Sequence, residues 1–346
     1  YFVVLDADEI IPSNFVQESL KYFKNKDVGI VQAKNFCSRQ KNLFDYFGTY
    51  LHNIQWQVEY NVRNFVGLIN LCGHGAMISK ECYEKAKGFP EVILEDWALT
   101  FVSLKNEFLT VYANNILCEE EFPNNYIAFK KRQYRWTQGG AELFKKYVLK
   151  IFFIKGILFF RKFDIFHRQS TVLINVISVT FLLLNLSVLL PLGFKFDNLV
   201  IYVILMLFFP ITHILKIFIF YIGKINIFKL FIILLFSYFL YSSLLLSSFI
   251  ATISGLVGKK FSFYVTPKKK TRKFTFFAAI SNNKWEVLIA LILSLVIVIM
   301  IVFDHKITVI ALIWTIIAIF PLYLSVVFNL ISVSYTHLRA HETGAY

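Results

Sequence analysis

The sequence predicts an α/β domain followed by an all-α membrane domain, and three observations carry that prediction. The chain opens on a continuous apolar, β-prone run, Tyr1 to Leu5, of the kind buried on both faces of an α/β sheet, and the run ends in Asp6 and Asp8. Up to about Tyr147, short runs of this type alternate with segments of helical periodicity and ordinary charge content. Beyond Tyr147 come apolar runs of roughly 20 residues, the length that spans a bilayer. A hydrophobic content of 57% and a mean hydropathy of +0.59 exceed what an ordinary soluble domain carries. The net charge of +14 agrees, because Lys and Arg gather at the ends of apolar runs instead of alternating with aromatics on a soluble face. That distribution fits cytoplasmic membrane anchoring and argues against nucleic acid as a partner.

Period-two geometry puts the Asp6 and Asp8 carboxylates on one side of the chain, at the C-terminal edge of the strand. Such a pair suits a hard divalent cation, Mg2+ or Mn2+, that also grips a diphosphate; acid-rich strand ends are also ordinary turns. Pro12 to Phe23 reads as a helix with Pro near its first turn, and Val28 to Ala33 as a strand. Gln40 to about Asn61 reads as a long amphipathic helix whose core stripe is Phe44, Phe47, Leu51, Ile54 and Val58. His52 and Trp56 lie beside that stripe and read as structural. Phe65 to Leu71 reads as a strand entering Cys72-Gly73-His74-Gly75, where glycines let the backbone approach a ligand closely. His74 there either contacts a sugar or phosphate or packs the turn. Phe108 to Ala113 reads as a further strand. Cys37, Cys72, Cys82 and Cys118 make no CxxC or zinc-type spacing and read as reduced, partly buried thiols.

The domain is organised around the stretch from Gly73 to Trp97: a glycine turn, a small helix, the turn Gly88-Phe89-Pro90-Glu91, then Glu95-Asp96 opening another helix. A carboxylate at a helix start sits beside free backbone N–H groups and the positive end of the dipole, held rigidly as a general base must be. The alternative is that Asp96 only caps the helix. From Asn125 the chain is helical again and carries Lys130, Lys131, Arg132, Arg135 and Trp136. A Trp beside an Arg offers a flat stacking face next to a planar cation, which suits a sugar ring adjoining a diphosphate; a basic face meeting lipid headgroups is the alternative. Residues 144–169 mix Lys145, Lys146, Lys150, Lys155, Arg161 and Lys162 with aromatics and aliphatics, as an interfacial amphipathic helix region does.

In order along the chain, Asp6-Ala7-Asp8, Gly88-Phe89-Pro90-Glu91 with Glu95-Asp96, Arg132 with Arg135-Trp136, and Phe263-Tyr264-Val265-Thr266-Pro267-Lys268 resemble the motif set of the membrane-bound family 2 glycosyltransferases, cellulose synthase-like group. The resemblance runs from Tyr1 to about Leu330. It implies that residues 1–143 form part of an inverting GT-A-type catalytic domain, whose N-terminal half, with a nucleobase-binding acidic residue, is missing from this sequence. It implies that Asp6 contacts the nucleotide, Asp8 holds the metal on its diphosphate, Asp96 deprotonates the acceptor hydroxyl, Arg135 touches the diphosphate and Trp136 stacks under the acceptor sugar. Glu95, His74 and Gly73 would line the substrate site, and Thr266 and Lys268 would sit on a gating loop that closes over the nucleotide. As bare sequence that loop reads first as an ordinary basic juxtamembrane loop, and its place in the ordered motif set reverses that reading. One position departs: Arg132 stands where the family pattern has Gln, a replacement also found in relatives that glucosylate a single lipid.

Residues 170–330 read as the membrane domain, with spans at Thr171 to Leu192, Leu199 to Tyr221, Glu286 to Phe303 and Ile307 to about Leu330. Ile232 to Leu256 is also apolar enough to span, but a fifth span would put the lysine-rich segment 259–284 outside, against the positive-inside rule. Its many hydroxyls, Ser237, Ser242, Ser243, Ser247, Ser248, Thr252 and Ser254, suit a non-spanning or re-entrant element at the interface or against a polar channel. The tail 333–346 breaks abruptly from the preceding pattern and reads as a non-native, adaptor-derived segment outside the fold.

These readings converge on a multi-pass integral protein of the cell membrane, its catalytic domain cytoplasmic, that adds sugar from a nucleotide donor, expected to be UDP-linked, to a growing β-linked polysaccharide and passes the product through its own helices. Its partners would be the nucleotide sugar, the glycan, membrane lipids and, as an open point, an accessory subunit. The rivals are a non-processive enzyme with a lipid acceptor, towards which Arg132 leans, and a catalytically silent membrane scaffold, against which the full motif set speaks.

Overall fold

The computed structural model describes residues 1–7, 9–37, 43–123, 125–154, 157–184, 215, 217–261, 275–302 and 309–332. Asp8, Thr266 and Lys268, most of the first expected membrane hairpin (185–214) and the tail 333–346 lie outside the described residues.

The first half of the chain comprises β1 (Phe2–Val4), α1 (Phe15–Tyr22), β2 (Val28–Cys37), α2 (Leu43–Ile54), a π-helical turn (Gln55–Glu59), α3 (Tyr60–Val66), β3 (Ala76–Ile78), α4 (Lys80–Lys85), α5 (Glu95–Lys105), β4 (Leu109–Glu120) and α6 (Tyr126–Leu143). The strands form one mixed sheet in the order β1-β3-β2-β4. β3 is antiparallel to both neighbours, whereas β2 and β4 run parallel, so β1, β2 and β4 all point the same way. Their C-terminal ends and the entry to β3 therefore share one edge, the place where open α/β sheets take ligands. β2 is covered on both faces. Phe15, Met77, Ala113 and Ile116 cluster with Val28, Val31 and Ala33, while Leu71, Cys82, Leu99 and Phe108 cluster with Ile30. Burying such side chains contributes roughly 1.5–3 kcal/mol for each large aliphatic or aromatic group.

Four sequence expectations change here. β1 is not buried on both faces: among the described residues it pairs only with β3, and Phe2, Val3 and Leu5 are exposed. Phe65 to Leu71 is not a strand. Leu68, Ile69 and Leu71 are buried, but the Leu71 N–H donates to Thr100 Oγ1 (2.8 Å) and the Cys72 N–H to Gln32 Oε1 (2.8 Å), so side chains replace a ladder there. The helix expected across 40–61 is interrupted by the π turn, where Trp56 stacks on Tyr60 at 4.4 Å. β4 runs past Ala113 to Glu120 because β2 continues to Cys37, the pairing resuming after a register shift between Ala33 and Lys34 that takes the partner from Ala113 to Leu117.

The second half holds a π turn (Phe144–Val148), α7 (Leu149–Ile151), α8 (Phe159–Leu184), α9 (Ile227–Ser242), α10 (Leu245–Val257), α11 (Phe276–Asn282), α12 (Lys284–Val302) and α13 (Val309–Ile331). No single described helix is long and apolar enough to cross a membrane; the α9–α10 pair, bent by 47°, and α11 with α12, bent by 85°, reach that length and composition together. The hydroxyls of α9–α10 meet protein. Ser243 Oγ lies 2.8 Å from the Tyr126 hydroxyl, Ser254 Oγ 3.4 Å from that of Tyr134, and Gln138 Nε2 donates to the Lys259 carbonyl at 2.8 Å. α10 is thereby bonded along α6, the helix that carries Arg135 and Trp136. Lys130 of α6 pairs with Glu286 of α12 and donates to Asn283 at 3.2 Å.

Candidate active site

Asp96 stands in the first turn of α5, two residues after the capping position, which Leu94 occupies without a side-chain bond. Buried Leu94, Ala98 and Leu99 seat the helix, and Asp96 Oδ1 accepts the Trp97 N–H at 2.8 Å. Gly73 faces the other oxygen: its φ is +80°, and a Cβ there would lie 3.1 Å from Asp96 Oδ2. Burial pushes the Asp96 carboxyl up to about 7, with Glu95 adding to the rise and the Trp97 N–H, Arg135 and His74 opposing it. At neutral pH it is thus poised to take a proton, the range in which a general base is most effective. Gly73→Ala should cost about 1–2 kcal/mol in denaturant unfolding, from the left-handed backbone, and should lower turnover by crowding Asp96; wild-type stability and rate would show that this close approach does not matter.

Beside Asp96 a chain of ionic side chains crosses the sheet edge. Glu9, from the turn after β1, accepts the Gly75 N–H at 2.9 Å and the Asp6 N–H at 3.3 Å, and its Oε1 lies 3.3 Å from His74 Nδ1. Gly75 has φ +57°, and a Cβ there would strike Glu9 and Asn35. His74 Nε2 lies 3.7 Å from Glu120 Oε2 at the end of β4, and Glu120 Oε1 meets His52 Nε2 at 2.6 Å. Burial disfavours a charged His74, but the hydrogen bond to Glu9 and the charges of Glu120, Glu9 and Asp6 outweigh it and raise its pKa to about 9. Burial likewise works against an ionised Glu120, yet His52, His74 and Arg132 hold it at about 2. A doubly protonated His74 donates from Nδ1, so Asn35, 2.7 Å away, would turn its amide oxygen towards it, which supplies that oxygen with the donor it otherwise lacks.

Arg132 and Trp136 share the next face of α6. The Arg132 guanidinium lies 4.7 Å from the Trp136 ring centre and 5.2 Å from that of Phe122, its Nε buried without a hydrogen-bond partner. Trp136 keeps 38% exposure, which leaves a free stacking face.

The structure thus brings together Asp96, Glu95, Gly73, His74 and Arg135, with Asp6 close enough to act on His74. Trp136 stands on the Arg132 face of α6. Glu9, Asn35, Glu120 and His52 were not singled out as site residues by the sequence; the only hints were an acid following Asp-x-Asp and the run Glu119-Glu120-Glu121 at a strand end. Among the described residues Cys37, His52 and Glu120 are close enough together to hold a metal ion. His52 Nε2, which accepts from Trp56 Nε1 at 3.0 Å, lies 2.6 Å from Glu120, and Arg132 and His74 already supply positive charge to that carboxylate. All four cysteines are free; Cys72 is half-buried and the other three buried. Asp6, an exposed residue at the sheet edge, has the carboxylate chemistry that suits a divalent ion on a diphosphate.

The sequence model of the family described as Glycosyl transferase family group 2 matches residues 1–331. Among curated proteins the chain is similar to Probable glucomannan 4-beta-mannosyltransferase 7 of Oryza sativa subsp. japonica, at 26% identity over 174 residues, 47% of this chain and 28% of the relative. The match thus spans under a third of that relative's length.

Proposed function

Because the chain belongs to glycosyl transferase family group 2, we propose that it is an inverting enzyme which transfers a sugar from a nucleoside-diphosphate donor to a growing β-linked glycan. The observation that carries this reading is Asp96, a carboxylate with a pKa of about 7 that accepts the Trp97 N–H, has Gly73 against its other oxygen and feels the charges of Arg135 and His74. An acceptor hydroxyl attacks the anomeric carbon, Asp96 takes its proton, and the bond from that carbon to the diphosphate oxygen breaks on the opposite face, releasing the nucleoside diphosphate. Arg135 offsets charge on the departing diphosphate, and Trp136 stacks under the acceptor sugar and orients it. Glu95, His74 and Gly73 line the site, His74 as a cation. A divalent Mg2+ or Mn2+ ion at Asp8, beside the nucleotide contact of Asp6, supplies charge neutralisation to the diphosphate when bound.

The donor is expected to be UDP-linked; the mannosyltransferase named above adds a nucleoside-diphosphate mannose to the candidates. Passage of the product through the chain's own helices, multi-pass insertion in the cell membrane with the catalytic domain cytoplasmic, and closure of a gating loop through Thr266 and Lys268 belong to the same proposal. The bent helix pairs and the bonding of α10 along α6 support it. Arg132, a buried cation beside the acceptor-stacking Trp136, favours a second reading in which the acceptor is a single lipid.

The test is product analysis of full-length enzyme in membranes supplied with radiolabelled UDP- and other nucleotide sugars. Label in a polymer supports the first reading, label in a single-sugar lipid the second, and no incorporation from any donor a silent scaffold. Asp8→Asn should abolish turnover and weaken donor binding, because it removes a charged ligand from a hard cation. Undiminished activity in the presence of a chelator would contradict the metal role.

A further inference from the structure

Arg168, on α8, reaches Trp97, the residue that follows Asp96. Its guanidinium lies over the Trp97 indole, 4.3 Å from the ring centre, and 5.8 Å from that of Tyr60. One Arg168 N–H donates to the Tyr60 hydroxyl at 3.4 Å, and that hydroxyl meets Cys72 Sγ at 2.8 Å. Trp97 and Cys72 are the chain neighbours of the two walls of the carboxylate. Trp97 follows Asp96 and gives its N–H to Oδ1; Gly73 follows Cys72 and faces Oδ2. One side chain from the second half of the chain therefore touches Trp97 directly and reaches Cys72 through the Tyr60 hydroxyl. One turn earlier on α8, Asp164 accepts from Arg63 Nε (3.2 Å) and from the Leu68 N–H (3.1 Å), which anchors the same helix to the same 63–72 segment.

We propose that Arg168 is a positioning residue for Asp96: by clamping the Trp97 indole and, through Tyr60, Cys72, it makes the seating of the base depend on the seating of α8. The inference rests on Asp96 being the base. It assigns α8, which leads towards the expected membrane domain, a direct mechanical line to the proton-transfer step. A misplacement of about 1 Å at such a group can cost on the order of 10²-fold in rate, so the clamp has leverage without touching substrate.

The experiment uses full-length enzyme in membranes and the variants Arg168→Met, Arg168→Lys and Trp97→Leu. Arg168→Met should lower kcat by roughly 10–100-fold while leaving the donor KM within about twofold. The acid limb of its pH–kcat profile should move below that of the wild type, because a loosened pocket admits water to the carboxyl. The charged neighbours of Asp96, namely Glu95, Arg135 and His74, are all retained in that variant, so the shift would report the pocket itself. Arg168→Lys keeps a cation over the indole and should recover most of the rate. Trp97→Leu, which breaks the clamp from the other side, should reproduce both the kcat loss and the limb shift even where Arg168→Met fails to fold. Introduced into Asp96→Asn enzyme, Arg168→Met should add no further loss. Wild-type kcat and acid limb in Arg168→Met, or a loss that multiplies the residual rate of Asp96→Asn, would overturn the proposal. Near-normal transfer by Asp96→Asn itself would instead remove the base reading, whatever the Arg168 variants do.

Discussion

Asp96→Asn in the full-length enzyme is expected to cut the transfer rate by on the order of 10²–10⁴-fold, the usual effect of removing a general base. Asn keeps the size of the side chain and can still accept the Trp97 N–H that Asp96 Oδ1 receives at 2.8 Å, so the first turn of α5 stays intact. Donor and acceptor should still bind, because their charge and stacking contacts are assigned to Arg135, Trp136 and the Asp6–Asp8 pair. Stability gives an independent sign. The folded protein raises the Asp96 pKa from 3.8 to about 7, so the folded state binds the extra proton in that window. The carboxyl therefore costs stability progressively as pH rises from about 4 to about 7. Asp96→Asn should lack that slope, measured by denaturant unfolding across the same range. A purely structural first-turn role predicts instead little change in stability, because Asn serves about as well as Asp at a helix start, together with near-normal transfer.

Arg135→Met should be nearly as damaging and should leave a different signature. Loss of a cation that stabilises a departing diphosphate is expected to lower kcat by roughly 10²–10³-fold, the scale found when one preorganised charge-stabilising donor is removed. Arg135 also opposes the rise of the Asp96 pKa. Without it the acid limb of the pH–rate profile should move above 7, opposite to the shift expected from loosening the pocket at Arg168. Arg135→Lys should recover part of the rate and most of the limb position, since a point charge replaces the charge but not the planar fork of donors. A variant with low kcat and an unmoved limb would place Arg135 too far from Asp96 for the arrangement described here.

The fold was legible where local pattern and tertiary role agree. β2 reads as an apolar strand because it is covered on both faces, and the stripe from Phe44 to Ile54 reads as helix because it is one. Phe65 to Leu71 misled for a definite reason: Leu68, Ile69 and Leu71 are apolar and buried, but the Leu68 N–H goes to Asp164 and the Leu71 N–H to Thr100, partners that no local pattern reveals. The pairing of β1 with β3 was not legible either, since pairing is not a property of five residues. At the site, Gly73, Asp96 and Arg135 could be singled out because each sits in an ordered motif. The Glu9–His74–Glu120–His52 chain could not. Glu9 and His74 are 65 residues apart, and Glu120 reaches the cluster only through the parallel register that sets it beside Cys37. The Arg168 clamp joins two helices whose neighbourhood the sequence leaves open.

The role of Asp96 is tested most directly by the pH dependence of kcat in wild-type full-length enzyme at saturating donor. A half-buried base beside Gly73, partly compensated by Arg135 and His74, must lose its proton before it can act. The rate should therefore climb with pH through a single ionisation at about 7, and the residual rate of Asp96→Asn should lack that ionisation. A limb in the ordinary carboxylate range near 4, or the same limb persisting in Asp96→Asn, would mean that another group accepts the proton.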